Sequence, residues 1–157
     1  MILIEPEYKL ALASKMIGLD GQKMSKSYNN TISLRESPDE IEKKIRKMPT
    51  DPARIRRSDP GDPKKCPVWQ LHEIYSDEKT RQWVENGCKN ADIGCIECKQ
   101  PVVNSVLKEL KPIQERALHY IDSPDLVKSV VAEGCEKARK IARDTMRDVR
   151  EVMGVSF

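Results

Sequence analysis

Past residue 35 the apolar positions recur at three-to-four-residue intervals between turn-forming breaks, the pattern of amphipathic helices. Ser37-Pro38-Asp39-Glu40 reads as a capping box, opening a helix that buries Ile41, Ile45 and Met48 and stops near Pro49. Pro67 opens a second helix to about Tyr75, burying Val68, Leu71 and Ile74 or Tyr75. A short third helix, capped by Ser76 or Asp77, turns Trp83 and Val84 inward and ends at Gly87. A fourth runs from Gly94 or Cys95 to about Tyr120 on Val102, Val103, Val106, Leu107, Leu110, Ile113 and Leu118, with Pro112 expected to kink it. The last starts at Ser123-Pro124-Asp125 and keeps Val127, Val131, Cys135, Ala138, Ala142, Met146, Val149 and Met153 on one face until Gly154. Cys135 is therefore expected in the core. The opposite face alternates acidic and basic residues, an i,i+4-paired surface.

Two stretches lack this period. Residues 1–20 offer Ile2-Leu3-Ile4 as a short buried strand, but neither a repeating strand–helix unit nor a glycine-rich phosphate loop. Residues 50–65 read as a long ordered loop rich in Pro, Asp and Gly. From Arg46 to Lys65 seven basic residues (46, 47, 54, 56, 57, 64, 65) face three acidic ones (51, 59, 62). Either this is a solvated linker, or Arg54, Arg56 and Arg57 form a phosphate-facing strip.

At 157 residues the chain has room for one modest domain, or a loop and a domain. Charged residues make up 34% and aromatic ones 4%, which suits a solvated helical unit with an aliphatic core. The net charge of +3 is too small to mark a nucleic-acid binder by itself. No apolar run approaches a membrane span and no export signal is legible, so a cytoplasmic setting is expected. In that setting five cysteines point to thiols or metal ligands and not to disulfides.

The candidate chemistry begins at Lys23-Met24-Ser25-Lys26-Ser27. Two lysines three apart with hydroxyls between and after them form a loop able to offer ammonium and O–H donors to a polyphosphate. Asp20-Gly21 before it and Asn29-Asn30 after it are turn chemistry. The second feature is Cys66, Cys88, Cys95 and Cys98, with gaps of twenty-one, six and two residues. Thiolates crowd together only around a soft cation or cluster, so zinc and a four-iron cluster both suit the set; buried free cysteines are the plainer alternative. His72, a turn after Cys66, reads as a packed or surface helix histidine before a ligand. Trp69, Tyr75 and Trp83 are core residues or stacking platforms for bases.

Lys23-Met24-Ser25-Lys26-Ser27 matches the KMSKS signature of class I aminoacyl-tRNA synthetases letter for letter. The flanks Leu19-Asp20-Gly21-Gln22 and Tyr28-Asn29-Asn30-Thr31-Ile32 are similar to the tryptophanyl and tyrosyl branch. The cysteine set, with Cys66-Pro67-Val68-Trp69 and Gly94-Cys95-Ile96-Glu97-Cys98-Lys99-Gln100-Pro101, resembles bacterial tryptophanyl-tRNA synthetases that carry a 4Fe-4S cluster near the anticodon-binding surface. Its first gap is one residue shorter than theirs.

The resemblance implies a mainly α chain: a KMSKS loop followed by an anticodon-binding α-helical bundle, with the Rossmann-like catalytic domain largely missing and its His-Ile-Gly-His signature absent. Residues 1–35 would be the remnant of the catalytic domain, 36–65 a connecting helix and basic loop, and 66–157 the anticodon-binding domain with the four-cysteine site. The implied reaction is ATP- and Mg2+-dependent activation of tryptophan and its transfer to tRNA(Trp), in a homodimer when full length; the chain alone is expected to be inactive. Lys26 would take the pyrophosphate and Lys23 the triphosphate. Ser25 and Ser27 would donate hydrogen bonds, and the Met24 backbone would lie beside the adenine. Cys66, Cys88, Cys95 and Cys98 would hold the cluster, or Zn2+. The rival readings are a non-catalytic RNA-binding or cluster-bearing module and a tyrosyl-tRNA synthetase relative.

Overall fold

The structure is a computed structural model that describes residues 3–10 and 14–155. It is mainly α. Five helices follow one another: α1 (Pro38–Lys47), α2 (Pro67–Tyr75), α3 (Glu78–Lys89), α4 (Cys95–Ile121) and α5 (Pro124–Val152). Short 3-10 turns lie at Lys26–Tyr28 and Pro63–Lys65. Among the described residues the only β pairing is an isolated antiparallel bridge between Ile17 and Lys23.

The start signals act as the side chains dictate. Ser37 accepts the Glu40 N–H while the Glu40 carboxylate accepts the Ser37 N–H, so two of the donors a helix leaves free at its first turn are satisfied. Asp77 caps α3 by accepting from the Thr80 N–H. Pro38, Pro67 and Pro124 each occupy the first turn of a helix, where a missing N–H costs nothing.

Contacts divide the chain into two units, Leu10–Gln114 and Met1–Lys9 with Glu115–Phe157. The first contains the core. Ile17 from the loop segment, Ile41, Ile45 and Met48 from α1, Val68 and Leu71 from α2, and Val102, Val103, Val106 and Leu110 from α4 pack together. Ile41, Ile45, Val68 and Val102 are fully buried, and Tyr75 packs against the rim. The 50–65 loop is ordered by the Asp51 carboxylate, which accepts the N–H groups of Ala53 (3.0 Å) and Asp62 (2.7 Å).

Several expectations fail. Leu3 and Ile4 are exposed and lie in no strand, since nothing pairs with them; Ile2 is outside the described residues. Helix α3 does not end at Gly87 but runs on to Lys89, the left-handed residue beyond it being Ala91 (φ +59°), and Ile93 packs on Gly87, where a Cβ would sit 2.9 Å from its side chain. Of the pair expected inside, Val84 is buried but Trp83 is 44% exposed. In helix α4, Leu118, expected on the buried face, is exposed.

In the second unit α5 buries no residue, and Cys135, expected in the core, is exposed. An apolar stripe is buried only where another surface covers it, and of this stripe Val149 is half-buried while Val127, Val131, Met146 and Met153 are exposed. No helix of the described residues is long and apolar enough to cross a membrane.

Candidate functional site

The lysine-serine loop and Cys66, Cys88, Cys95 and Cys98 lie in the same unit, Leu10–Gln114. Residues 16–30 form a hairpin-like loop closed by backbone bonds from Gly18 N to Gln22 O (2.7 Å), Met24 N to Met16 O (2.9 Å) and Leu19 N to Asn30 O (2.8 Å). Its organiser is Asn30, 3% exposed. The side-chain amide donates to the Asp20 carboxylate (2.7 Å) and to the Lys23 carbonyl (3.2 Å), and its oxygen accepts the Ser25 N–H (2.7 Å). The bond from Asn30 holds the Asp20 carboxyl below the usual carboxylate range, helped by the Gln22 N–H. Gly18 lacks a side chain where Asn30 presses against it.

With the backbone thus occupied, Lys23 and Lys26 are left exposed, and neither makes a salt bridge among the described residues. Ser25 Oγ and Ser27 Oγ lie 2.8 Å apart across the 3-10 turn. Met24 commits its N–H to Met16, which leaves its carbonyl as the backbone group open to a base. Gly21, at φ +83°, is a position where only glycine is unstrained. A Cβ there would also come within 2.8 Å of Pro67. The loop thus touches the first residue of α2, directly after Cys66.

The four cysteines converge. Cys66 ends the 3-10 turn before α2, Cys88 lies near the end of α3, and Cys95 and Cys98 stand one turn apart at the start of α4. All four line one small cavity with Asp51, Arg54 and Lys99. None is in a disulfide. As the side chains stand, no group of three or more His, Cys, Asp or Glu among the described residues is arranged to hold a metal ion. The Cys98 thiol is pushed up to about 12 by burial and then by Cys66, Cys88 and Cys95; burial likewise raises Cys66 and Cys88. Neutral thiols have no reason to draw closer, whereas a cation would replace the protons and pull the ligands together.

His72 is fully buried beside them. Its Nδ1 lies 2.8 Å from Ser76 Oγ and its Nε2 3.4 Å from Cys98 Sγ. It is a packed histidine that braces a thiol, with Trp69 tilted against it at 6.3 Å.

Of the basic strip, Arg56 and Arg57 are exposed, but Arg54 turns inward. Its Nη2 donates to the carbonyls of Arg57 and Ile93, and Nη1 lies 3.8 Å from Cys88 Sγ. Asn30 reads in the sequence only as turn chemistry and Lys99 is given no role there; no local signal marks either, because their partners are distant in sequence or depend on how the loop closes.

The profile of the class I tRNA synthetases (W and Y) matches residues 5–111 of this chain. The chain belongs to that family. Several similar proteins are tryptophan–tRNA ligases. It is 59% identical over its whole length to a tryptophan–tRNA ligase from Ralstonia nicotianae, covering 39% of that protein. It is 45% identical to the tryptophan–tRNA ligase of Thermotoga maritima, covering 98% of this chain and 47% of the relative. A crystal structure of tryptophanyl-tRNA synthetase from Campylobacter jejuni complexed with ADP and tryptophan superposes with a TM-score of 0.72 at 28% identity, over 89% of this chain and 43% of that one. The chain thus spans between two-fifths and one half of the length of these synthetases.

Two outcomes follow from this geometry. Replacing Asn30 by Leu should cost about 1–3 kcal/mol of loop stability, since it leaves buried donors and acceptors unmet; amide exchange should then accelerate by tenfold or more at Ser25 while helix α1 is unchanged. The second concerns His72, which burial lowers from 6.5 to about 4. Between those values the unfolded chain carries the proton and the folded one does not. The stability present above pH 6.5 should therefore be lost as the pH falls toward 4 in the metal-free chain. Urea unfolding across that window should show the decline, and His72→Gln should flatten it.

Proposed function

We propose that this chain supplies the pyrophosphate-binding loop and the tRNA-facing helices of a tryptophan–tRNA ligase. The reaction is ATP-dependent activation of tryptophan followed by its transfer to tRNA(Trp), in the cytoplasm and within a homodimer. The observation that carries the reading is that Lys23 and Lys26 stand exposed and uncompensated on a loop whose backbone Asn30 has locked. Flexible ammonium groups on a fixed support suit a charge that moves during the reaction.

In the activation step a tryptophan carboxylate oxygen attacks the α-phosphorus in line. The bond from that phosphorus to the bridging oxygen breaks, and pyrophosphate leaves with the electron pair. No enzyme nucleophile is required, so the protein contributes position and charge. Lys26 holds the departing pyrophosphate, Lys23 steadies the triphosphate, Ser25 and Ser27 donate hydrogen bonds, and the Met24 backbone borders the adenine. Mg2+ bound with the nucleotide would supply charge that offsets the repulsion among its phosphates. Residues 1–35 then act with a Rossmann-like nucleotide domain, 36–65 connect, and 66–157 meet the anticodon stem-loop, with exposed Arg56 and Arg57 on the phosphate-facing side.

Cys66, Cys88, Cys95 and Cys98 are proposed to hold one metal centre, a 4Fe-4S cluster with Zn2+ as the alternative. The residues fit such a group. Four thiols share one cavity, Gly61 presents only hydrogen where a Cβ would lie 2.7 Å from Cys88 Sγ, and Arg54 Nε is buried there without a partner. Through Cys66, Cys88, Cys95 and Cys98 such a group would tie together the start of α2, the end of α3 and the start of α4.

Lys26→Ala, in an enzyme that includes the nucleotide domain, should lower kcat by about a hundredfold or more and barely change KM for ATP, because the contact strengthens in the transition state. An equal loss of ground-state binding would remove the assignment. For the cysteines, anaerobic reconstitution should give brown protein with visible absorption for iron–sulfur, or colourless protein with one zinc per chain. A chain that binds neither refutes the centre.

A further inference from the structure

Two buried cations, Arg54 and Lys99, line the cysteine cavity against a single carboxylate, Asp51, and neither is in a salt bridge with it. Arg54 is 8% exposed and Lys99 4%. Neither forms a salt bridge among the described residues. Lys99 Nζ donates to the carbonyls of Arg46 (2.7 Å) and Met48 (2.6 Å), at the C-terminal end of α1. Arg54 spends Nη2 on two carbonyls, approaches Cys88 Sγ with Nη1, and leaves Nε buried and unpaired. The one carboxylate at the cavity, Asp51, is already engaged by the Ala53 and Asp62 N–H groups.

Carbonyl dipoles offset part of the cost of burying a cation, but they carry no net charge. A buried, unanswered cation remains expensive. Four thiolates around either a zinc ion or a 4Fe-4S core carry a net charge of about −2. Two fixed cations lining the same cavity, against the one Asp51 carboxylate, have the sign that offsets that charge.

We propose that Arg54 and Lys99 are the built-in counter-cations of the four-thiolate centre, positioning residues that stabilise its loaded, anionic form. Through Lys99 that centre is also joined to the end of α1. This rests on the reading of Cys66, Cys88, Cys95 and Cys98 as one ligand set. It adds two residues whose part is to retain the metal, and neither of them ligates it.

The test loads the 157-residue chain with Zn2+ and follows zinc release to a chromophoric chelator, after circular dichroism has shown each variant to be helical. Arg54→Gln and Lys99→Met should each release zinc on the order of tenfold faster than the parent. Arg54→Lys and Lys99→Arg keep the charge and should recover most of the retention, which a purely packing role would not allow. Unchanged release from both neutral variants overturns the proposal, as does equal acceleration in the charge-keeping pair. If one neutral variant does not fold, the other decides. A parent chain that binds no zinc and assembles no iron–sulfur cluster defeats the ligand set itself, and the counter-cations fall with it.

Discussion

The interaction on which most of this architecture depends is a lysine ammonium at the end of a helix. The last carbonyls of α1 have no partner within the helix, and they carry the negative end of its dipole. Lys99 answers them at Arg46 and Met48 from a buried position one residue after the C-x-x-C pair. A chain segment that follows the lysine-serine loop is thereby fastened to one more than fifty residues later in the sequence. The aliphatic contacts of Ile41 and Ile45 with Val102 and Val103 close around this polar joint, and a long lysine stem can itself pack against them.

The same economy operates in the loop. Asn30 satisfies three backbone and side-chain groups at once, and because those groups are taken, the two lysines are not needed to hold the loop together. Their charge stays available to a ligand. Gly21 packs against Pro67, which directly follows Cys66, so the lysine-serine loop meets the start of α2 next to a cavity thiol. The core beneath is small, and its polar joints carry a large share of its definition.

Much of this organisation was legible in the chain as written. The capping box at Ser37 and Glu40, the proline-initiated starts of α2 and α5, the cap at Asp77 and the three-to-four period of α4 are local patterns, and local geometry realises them. The KMSKS string and the cysteine gaps also stood out, because chemistry that depends on residue type and spacing leaves a mark in one dimension. The apolar face of α5 was equally legible, but its burial was not. Periodicity says which residues share a face and nothing about what lies opposite.

By itself, then, the amino-acid order determined where helices begin, which side chains share a face, and which residues carry lysine and thiol chemistry. Tertiary structure alone decided that Arg54 turns from the basic strip toward Cys88, that Lys99 is buried and not solvated, and that Asn30 anchors what reads as a turn. The reason is physical. A helix start is settled within a few residues, whereas the partner of a buried polar group is whichever atom the fold brings within 3 Å or so, and that atom can come from anywhere in the chain.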